Sequence, residues 1–177
     1  MARSGVVLDL DTGGIGELVV YLRKVEPDLA KMLPREMRQV AKPVVQTARA
    51  LIPADRPLSN WGSWGGRLDW SRKAVTGIVA TTDVRAGKLS PGQINLLSIQ
   101  QKNAAGAVFE NAGRHPNAAT ARGRAFIRNL DRRHGQPLKG RYLWPAVEQN
   151  LGYLNRELQH VIDKWSAELE RTLARAA

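Results

Sequence analysis

The residues that could do chemistry in this 177-residue chain are few and scattered. Asp11-Thr12-Gly13, after the apolar Leu8-Asp9-Leu10, is the tripeptide that acid proteases use to set two aspartates around a shared proton, since adjacent like charges cannot both ionise. Those enzymes are almost wholly β, whereas about half of this chain patterns as helix. An Asp-Thr-Gly turn running into an N-capped helix accounts for the same letters. His115 and His134 stand in basic stretches and His160 on the polar side of the last helix. No pair of them has the i,i+4 spacing of a metal site and no carboxylate is placed to complete a triad, so all three read as solvated surface histidines. Gly13-Gly14-Ile15-Gly16 lacks both the spacing of a phosphate loop and the Lys-Ser/Thr that follows one. Glu110, beside Gly113, reads as a strand-edge or turn charge. With no cysteine there is no thiolate nucleophile and no thiolate zinc site. The expectation is a protein without catalytic, cofactor-binding or metal-binding residues, and not an enzyme.

The charge says more. Lys and Arg number 27 against 16 Asp and Glu, a net +11, so acidic partners are expected, whether nucleic acid, an anionic membrane or a protein surface. Between Arg114 and Arg141 lie eight basic residues (Arg114, Arg122, Arg124, Arg128, Arg132, Arg133, Lys139 and Arg141) and one acid, Asp131, which is +7 of the +11. Arginines to neutralise phosphates and Trp61, Trp64 and Trp70 to stack on bases would make a nucleic-acid-binding module. Only Phe126 and Tyr142 interleave with the basic residues, however, and no zinc-finger, helix-turn-helix or ribonucleoprotein signature is present. An arginine-rich loop docked on an acidic protein would look the same. A membrane partner is not expected: no apolar run nears the roughly 18 residues that span a bilayer, the start has too short an apolar run for a secretory signal, and the last helix has a mixed polar face.

One domain is expected over 1–177, large enough to bury a core unaided. Val6 to Leu10 can be a strand, and Ile15, Leu18, Val19 and Leu22 have helical spacing. From Asp28 to Leu51 the apolar stripe Leu29, Met32, Leu33, Met37, Val40, Val44, Ala48 and Leu51 predicts a helix, restarted at Pro34 and kinked near Pro43 because proline lacks the N–H and crowds the preceding turn. Residues 53–72, with Trp61, Trp64 and Trp70 among prolines and glycines, read as a long loop. Ala74 to Thr82, Ile94 to Gln100 and Ala105 to Ala112 read as strands of a small antiparallel sheet. Residues 114–141 read as exposed basic loop apart from a short helix at Ala125 to Leu130. Val147, Leu151, Leu154, Leu158, Val161, Ile162, Trp165, Leu169 and Leu173 predict one amphipathic helix of roughly 30 residues starting at Pro145, about 45 Å long. That is more than one face of so small a domain needs, so its end projects or lies on a neighbouring subunit. The fold class expected is α+β, a small antiparallel sheet packed by N-terminal helices and a long C-terminal helix.

Four short segments, in order, carry a resemblance. An alanine-rich turn runs from Ala41-Lys42 through Ala48-Arg49-Ala50-Leu51-Ile52-Pro53. Gly66-Arg67-Leu68 closes the loop before the strand from Ala74. Val108-Phe109-Glu110-Asn111-Ala112-Gly113 is a hydrophobic-Glu-x-Gly segment one residue longer than usual, and Tyr142-Leu143-Trp144-Pro145-Ala146 opens the last helix. In this order and spacing, over roughly Ala41 to Leu173, the chain resembles the tail-completion or head-tail joining proteins of long-tailed phages, related to minor tail protein Z. The Trp-rich loop at 53–72 and the basic insertion between Gly113 and Tyr142 depart from that pattern.

The resemblance implies a structural, non-catalytic virion protein of the neck or tail end, made in the host cytoplasm and assembled into a ring, sixfold in the family. It would complete or terminate the tail and join it to the head connector. Its partners would be further copies of itself, a head-side connector or stopper protein, and the tail tube or tail terminator protein. DNA in the lumen would be a non-specific contact. A ring needs heterologous contacts that close on themselves. On this reading Phe109 sits in a sheet under the helices, and Pro53, Gly66, Leu68, Glu110, Gly113, Tyr142, Leu143, Pro145 and Ala146 keep structural roles. Trp61, Trp64 and Trp70 are interface anchors, and Arg122, Arg124, Arg128, Arg132, Arg133, Lys139 and Arg141 dock on DNA or on an acidic ring.

Overall fold

A computed structural model describes residues 4–7, 27–55, 57–58, 70, 72–83, 95–114, 120–137 and 139–176. The expected helix at Ile15–Leu22, the turn at Arg85–Gly92, and Trp61, Trp64, Gly66, Leu68 and His115 lie outside the described residues. The elements are β1 (Ser4–Val7), α1 (Pro27–Val40), α2 (Lys42–Ala50), α3 (Arg72–Thr76), β2 (Ile78–Asp83), β3 (Asn95–Gln101), α4 (Ala104–Asn111), α5 (Ala121–His134), α6 (Leu143–Gln149) and α7 (Leu151–Ala176). The class is α+β with a long C-terminal helix, as expected. The strands pair in the order β1-β3-β2. The Lys102 N–H donates to the Gly77 carbonyl and the Thr81 and Ser98 hydroxyls bond at 2.8 Å, so paired positions sum to a constant and β2 and β3 run antiparallel. Thr and Ser hydroxyls facing across such a pair are a recurrent stabilising contact.

The chain divides into two compact units, one of residues 1–6, 44–79 and 99–149 and one of 7–43, 80–98 and 150–177. In the second, α1 buries Leu33, Met37 and Val40, and α7 buries Leu154, Leu158, Val161 and Trp165, each set at the three-to-four-residue step of a helix face. The two helices pack together. Glu36 bridges them, accepting from Trp165 Nε1 at 2.9 Å and from the Lys164 ammonium. Burial alone would raise the Glu36 carboxyl, but these two donors outweigh it and hold it below its ordinary 4.5. A carboxyl lowered on folding stabilises above its unfolded value and loses that contribution as the pH falls through its folded value. Wild type should therefore melt above Glu36→Gln at pH 7, and the gap should close as the pH drops below 4.5. Thermal melts of the two proteins across that range check it; a pH-independent gap would remove the ionic component.

Several sequence expectations are corrected. The α1 helix runs through Pro34 without restarting, since Pro34 forfeits one helical bond while the stripe of Leu33 and Met37 remains buried on either side. The break falls at Ala41, and Pro43 sits in the first turn of α2, where its missing N–H costs nothing. Residues 74–76 finish the short helix α3 before the strand begins at Ile78. The segment expected as a strand at Ala105 to Ala112 is helical up to Asn111: the Asn103 side chain caps α4 by accepting the Gly106 N–H at 2.9 Å, and the three alanines of the helix favour it. In the basic segment the helix expected at Ala125 to Leu130 is present but longer, running from Ala121 to His134. Thr120 caps α5 through the Gly123 N–H, and Gly135 ends it at φ 76, a left-handed backbone that glycine adopts freely. The last helix is two helices, broken at Asn150, and Leu151, expected in the buried stripe, is exposed.

Candidate functional site

The first unit brings two of the resemblance segments together. Helix α4 buries Ala105, Gly106, Phe109 and Glu110, one face at i, i+1, i+4 and i+5, and this carries a carboxylate into the interior. Helix α6 begins opposite it. The first turn of any helix leaves backbone N–H groups with no partner inside the helix. Here Glu110 takes them: Oε2 accepts from the N–H of Arg141 at 3.0 Å, Tyr142 at 2.8 Å and Leu143 at 3.2 Å, and Oε1 from Leu143 at 3.1 Å. Pro145, in the same turn, has no N–H to satisfy. Burial pushes the Glu110 carboxyl above its ordinary 4.5, against the pull of the backbone donors at Tyr142, Leu143, Arg141 and Trp144. Glu110 is thus a buried clasp between helices, not the strand-edge charge expected from sequence.

Polar groups continue on both sides of the clasp. Buried Gln101, at the end of β3, donates from Nε2 to the Ala74 carbonyl at 2.7 Å and to the Tyr142 hydroxyl at 2.9 Å, while its Oε1 accepts the Asn103 N–H. The Tyr142 hydroxyl donates to the Gly106 carbonyl at 2.9 Å. Burial and the neighbouring Glu110 charge push this phenol far above its ordinary value, so it stays protonated at any physiological pH. On the other side Arg141 Nη2 donates to Asp131 Oδ1 at 2.6 Å and to the Ala112 carbonyl at 2.7 Å, and Nη1 bonds the Gly135 carbonyl. Gly113 turns the chain out of α4 at φ 87, and a Cβ there would lie 3.1 Å from Asp131 Oδ1.

An aromatic group closes the arrangement. Phe109 stacks on Tyr142 at 6.2 Å between ring centroids and meets the edges of Trp70 and His134, each at 5.3 Å, with the Arg141 guanidinium over its face. Three expectations change accordingly. Phe109 lies on a helix rather than in the sheet, Trp70 is a core residue rather than a docking anchor, and His134 is half-buried at the end of α5 instead of solvated. Burial lowers the His134 imidazole, Asp55 opposes that, and Arg133 and Arg141 reinforce it. Arg141, expected on a docking surface, has a side chain only 3% exposed. Of the family-motif residues, Leu143 and Ala146 are buried, Pro145 is half-buried, and Pro53, also half-buried, follows the end of α2. Arg122, Arg124, Arg128, Arg132, Arg133 and Lys139 are exposed. Lys139 lies over the Trp144 ring, 4.3 Å from its centroid, at the rim of an open cleft of 470 Å³ lined by His134, Pro137, Gly140 and Glu148 among others.

Among the described residues no group of three or more His, Asp or Glu is placed to hold a metal, and no described helix is long and apolar enough to cross a membrane. Among the described residues Glu110 is the buried acid, and both its oxygens accept backbone N–H groups at the start of α6. Gln101, which joins α3, the Asn103 cap of α4 and Tyr142, is not among the residues singled out from the sequence, and in a strand reading Asn-Leu-Leu-Ser-Ile-Gln-Gln no local signal sets it apart. Compared with protein-family models, with curated proteins and with solved structures, the chain matches none of them.

Proposed function

We propose that this chain is a structural, non-catalytic protein of a phage neck, assembling into a sixfold ring that completes or terminates the tail and joins it to the head connector. The observation that supports this reading is the clasp. Two of the segments by which the chain resembles the tail-completion proteins, 108–113 and 142–146, are bonded to each other through Glu110 and Phe109. The short motifs therefore share one physical task, seating the start of the C-terminal helices on α4, as expected of residues kept for architecture and not for chemistry. The partners in this reading are further copies of the chain, a head-side connector or stopper, and the tail tube or tail terminator. Deleting the gene from the parent phage and imaging the lysate tests it: filled heads and separate tails should accumulate, and the plasmid-borne gene should restore joined particles. Joined, infectious particles without the gene would refute it.

A further inference from the structure

Five of the eight basic residues between Arg114 and Arg141 lie on one side of helix α5. Successive helical residues are about 100° apart, so Arg122, Arg124, Arg128, Arg132 and Arg133 fall within one half of its circumference, and all five are exposed. The other half carries Phe126, Ile127 and the buried Leu130. The helix has a single acid, Asp131, which is engaged by Arg141, and Arg133 reaches Asp55 at 3.2 Å. That leaves Arg122, Arg128 and Arg132 with no acid of their own helix to neutralise them. Ala121, Ala125 and Asn129 stand between the arginines, so only small or short polar side chains separate the guanidinium groups from whatever approaches.

We propose that this face of α5 binds the phosphate backbone of duplex DNA without reading its sequence. Guanidinium forks match phosphate oxygens in geometry as well as charge. From Arg122 to Arg132 the helix advances about 15 Å, and a DNA strand presents about four phosphates over that distance. An acidic protein surface would meet the same charge, but protein interfaces draw their energy from aromatic and aliphatic anchors seated in pockets. This face offers none between its arginines. Asn129 is the one amide on it, and it carries no Gln and no aromatic group to read or stack on bases, so the binding is electrostatic and does not select a sequence. The inference does not require the ring reading, because head-tail joining and DNA affinity are measured separately.

The test separates a built face from the general attraction of a basic protein. Two triple variants remove the same charge: R122E/R128E/R132E on α5, and R35E/K42E/R72E at exposed positions elsewhere. Each is titrated with a fluorescent duplex of roughly 30 base pairs over a range of salt, where three lost phosphate contacts lower the salt slope by about 3. The α5 variant should bind roughly a hundredfold more weakly at about 0.1 M salt, with that loss of slope, while the control stays near wild type. R122Q/R128Q/R132Q, which keeps good helix formers, should show the same direction and guards against misfolding, read by circular dichroism. Equal weakening in the α5 and control variants, or none in either, overturns the proposal. Wild-type DNA binding by an α5 variant that no longer joins heads to tails would also overturn it and assign the face to an acidic protein.

Discussion

Glu110→Ala should cost about 3–5 kcal/mol of stability, the range seen when one partner of a buried charged contact is removed. The carboxylate is 3% exposed and accepts the N–H groups of Arg141, Tyr142 and Leu143. Alanine leaves those donors facing a dry space, and each buried donor left unpaired costs about 1–3 kcal/mol. Against a domain stability of about 5–15 kcal/mol, the loss should be plain as a lower urea midpoint. Glu110→Gln should cost much less, because an amide oxygen in the place of Oε2 can keep all three contacts. A second substitution isolates the clasp. A Cβ at Gly140 would collide with Glu110, lying 2.9 Å from its Cδ, so Gly140→Ala should be strongly destabilising in wild type and mild in the Glu110→Ala background. That non-additivity is the signature of two residues competing for one space. Additive effects would mean the carboxylate can move aside.

Gly106→Ala should destabilise by about 2–4 kcal/mol, in the sense opposite to helix propensity. Inside a helix, exchanging glycine for alanine ordinarily gains about 1 kcal/mol. Here the added methyl would stand 2.6 Å from Gln101 Cδ. Gln101 has nowhere to retreat, since its amide is tied to the Ala74 carbonyl, the Tyr142 hydroxyl and the Asn103 N–H. Overpacking costs about 1–3 kcal/mol and displaced hydrogen bonds add to it, so steric cost exceeds the propensity gain. Denaturant melts decide the sign: a Gly106→Ala protein more stable than wild type would show that Gln101 yields. With Gln101→Ala already present, the same change should recover most of the propensity gain.

Features that depend on neighbours a few residues away could be read from the order of residue types. Helical stripes at Leu33, Met37 and Val40 and at Leu154, Leu158, Val161 and Trp165 were legible because a helix brings such positions onto one side. The interruption near Pro43, the strand expected at Ile94 to Gln100 and found at Asn95–Gln101, and the concentration of charge in 114–141 were legible for similarly local reasons. The helical state of α4 was within reach, since Asn103 and its alanines signal it, but Val108, Phe109 and the two glycines 106 and 113 suggested a strand. In α5 the apolar side is only Phe126, Ile127 and Leu130, which marks a short helix at Ala125 to Leu130 but is too thin a stripe to reveal the full length Ala121–His134. Which charged and aromatic residues are exposed is settled by contacts between distant parts of the chain. Trp70 and Arg141 have the types of a docking surface, yet both are turned inward, against Phe109 and against Asp131. Glu110 reads as a surface acid until the N–H groups of residues 141–143, more than thirty positions along the chain, arrive to receive it. A buried charge is tolerable only beside its partners, and those partners exist only once the chain has folded.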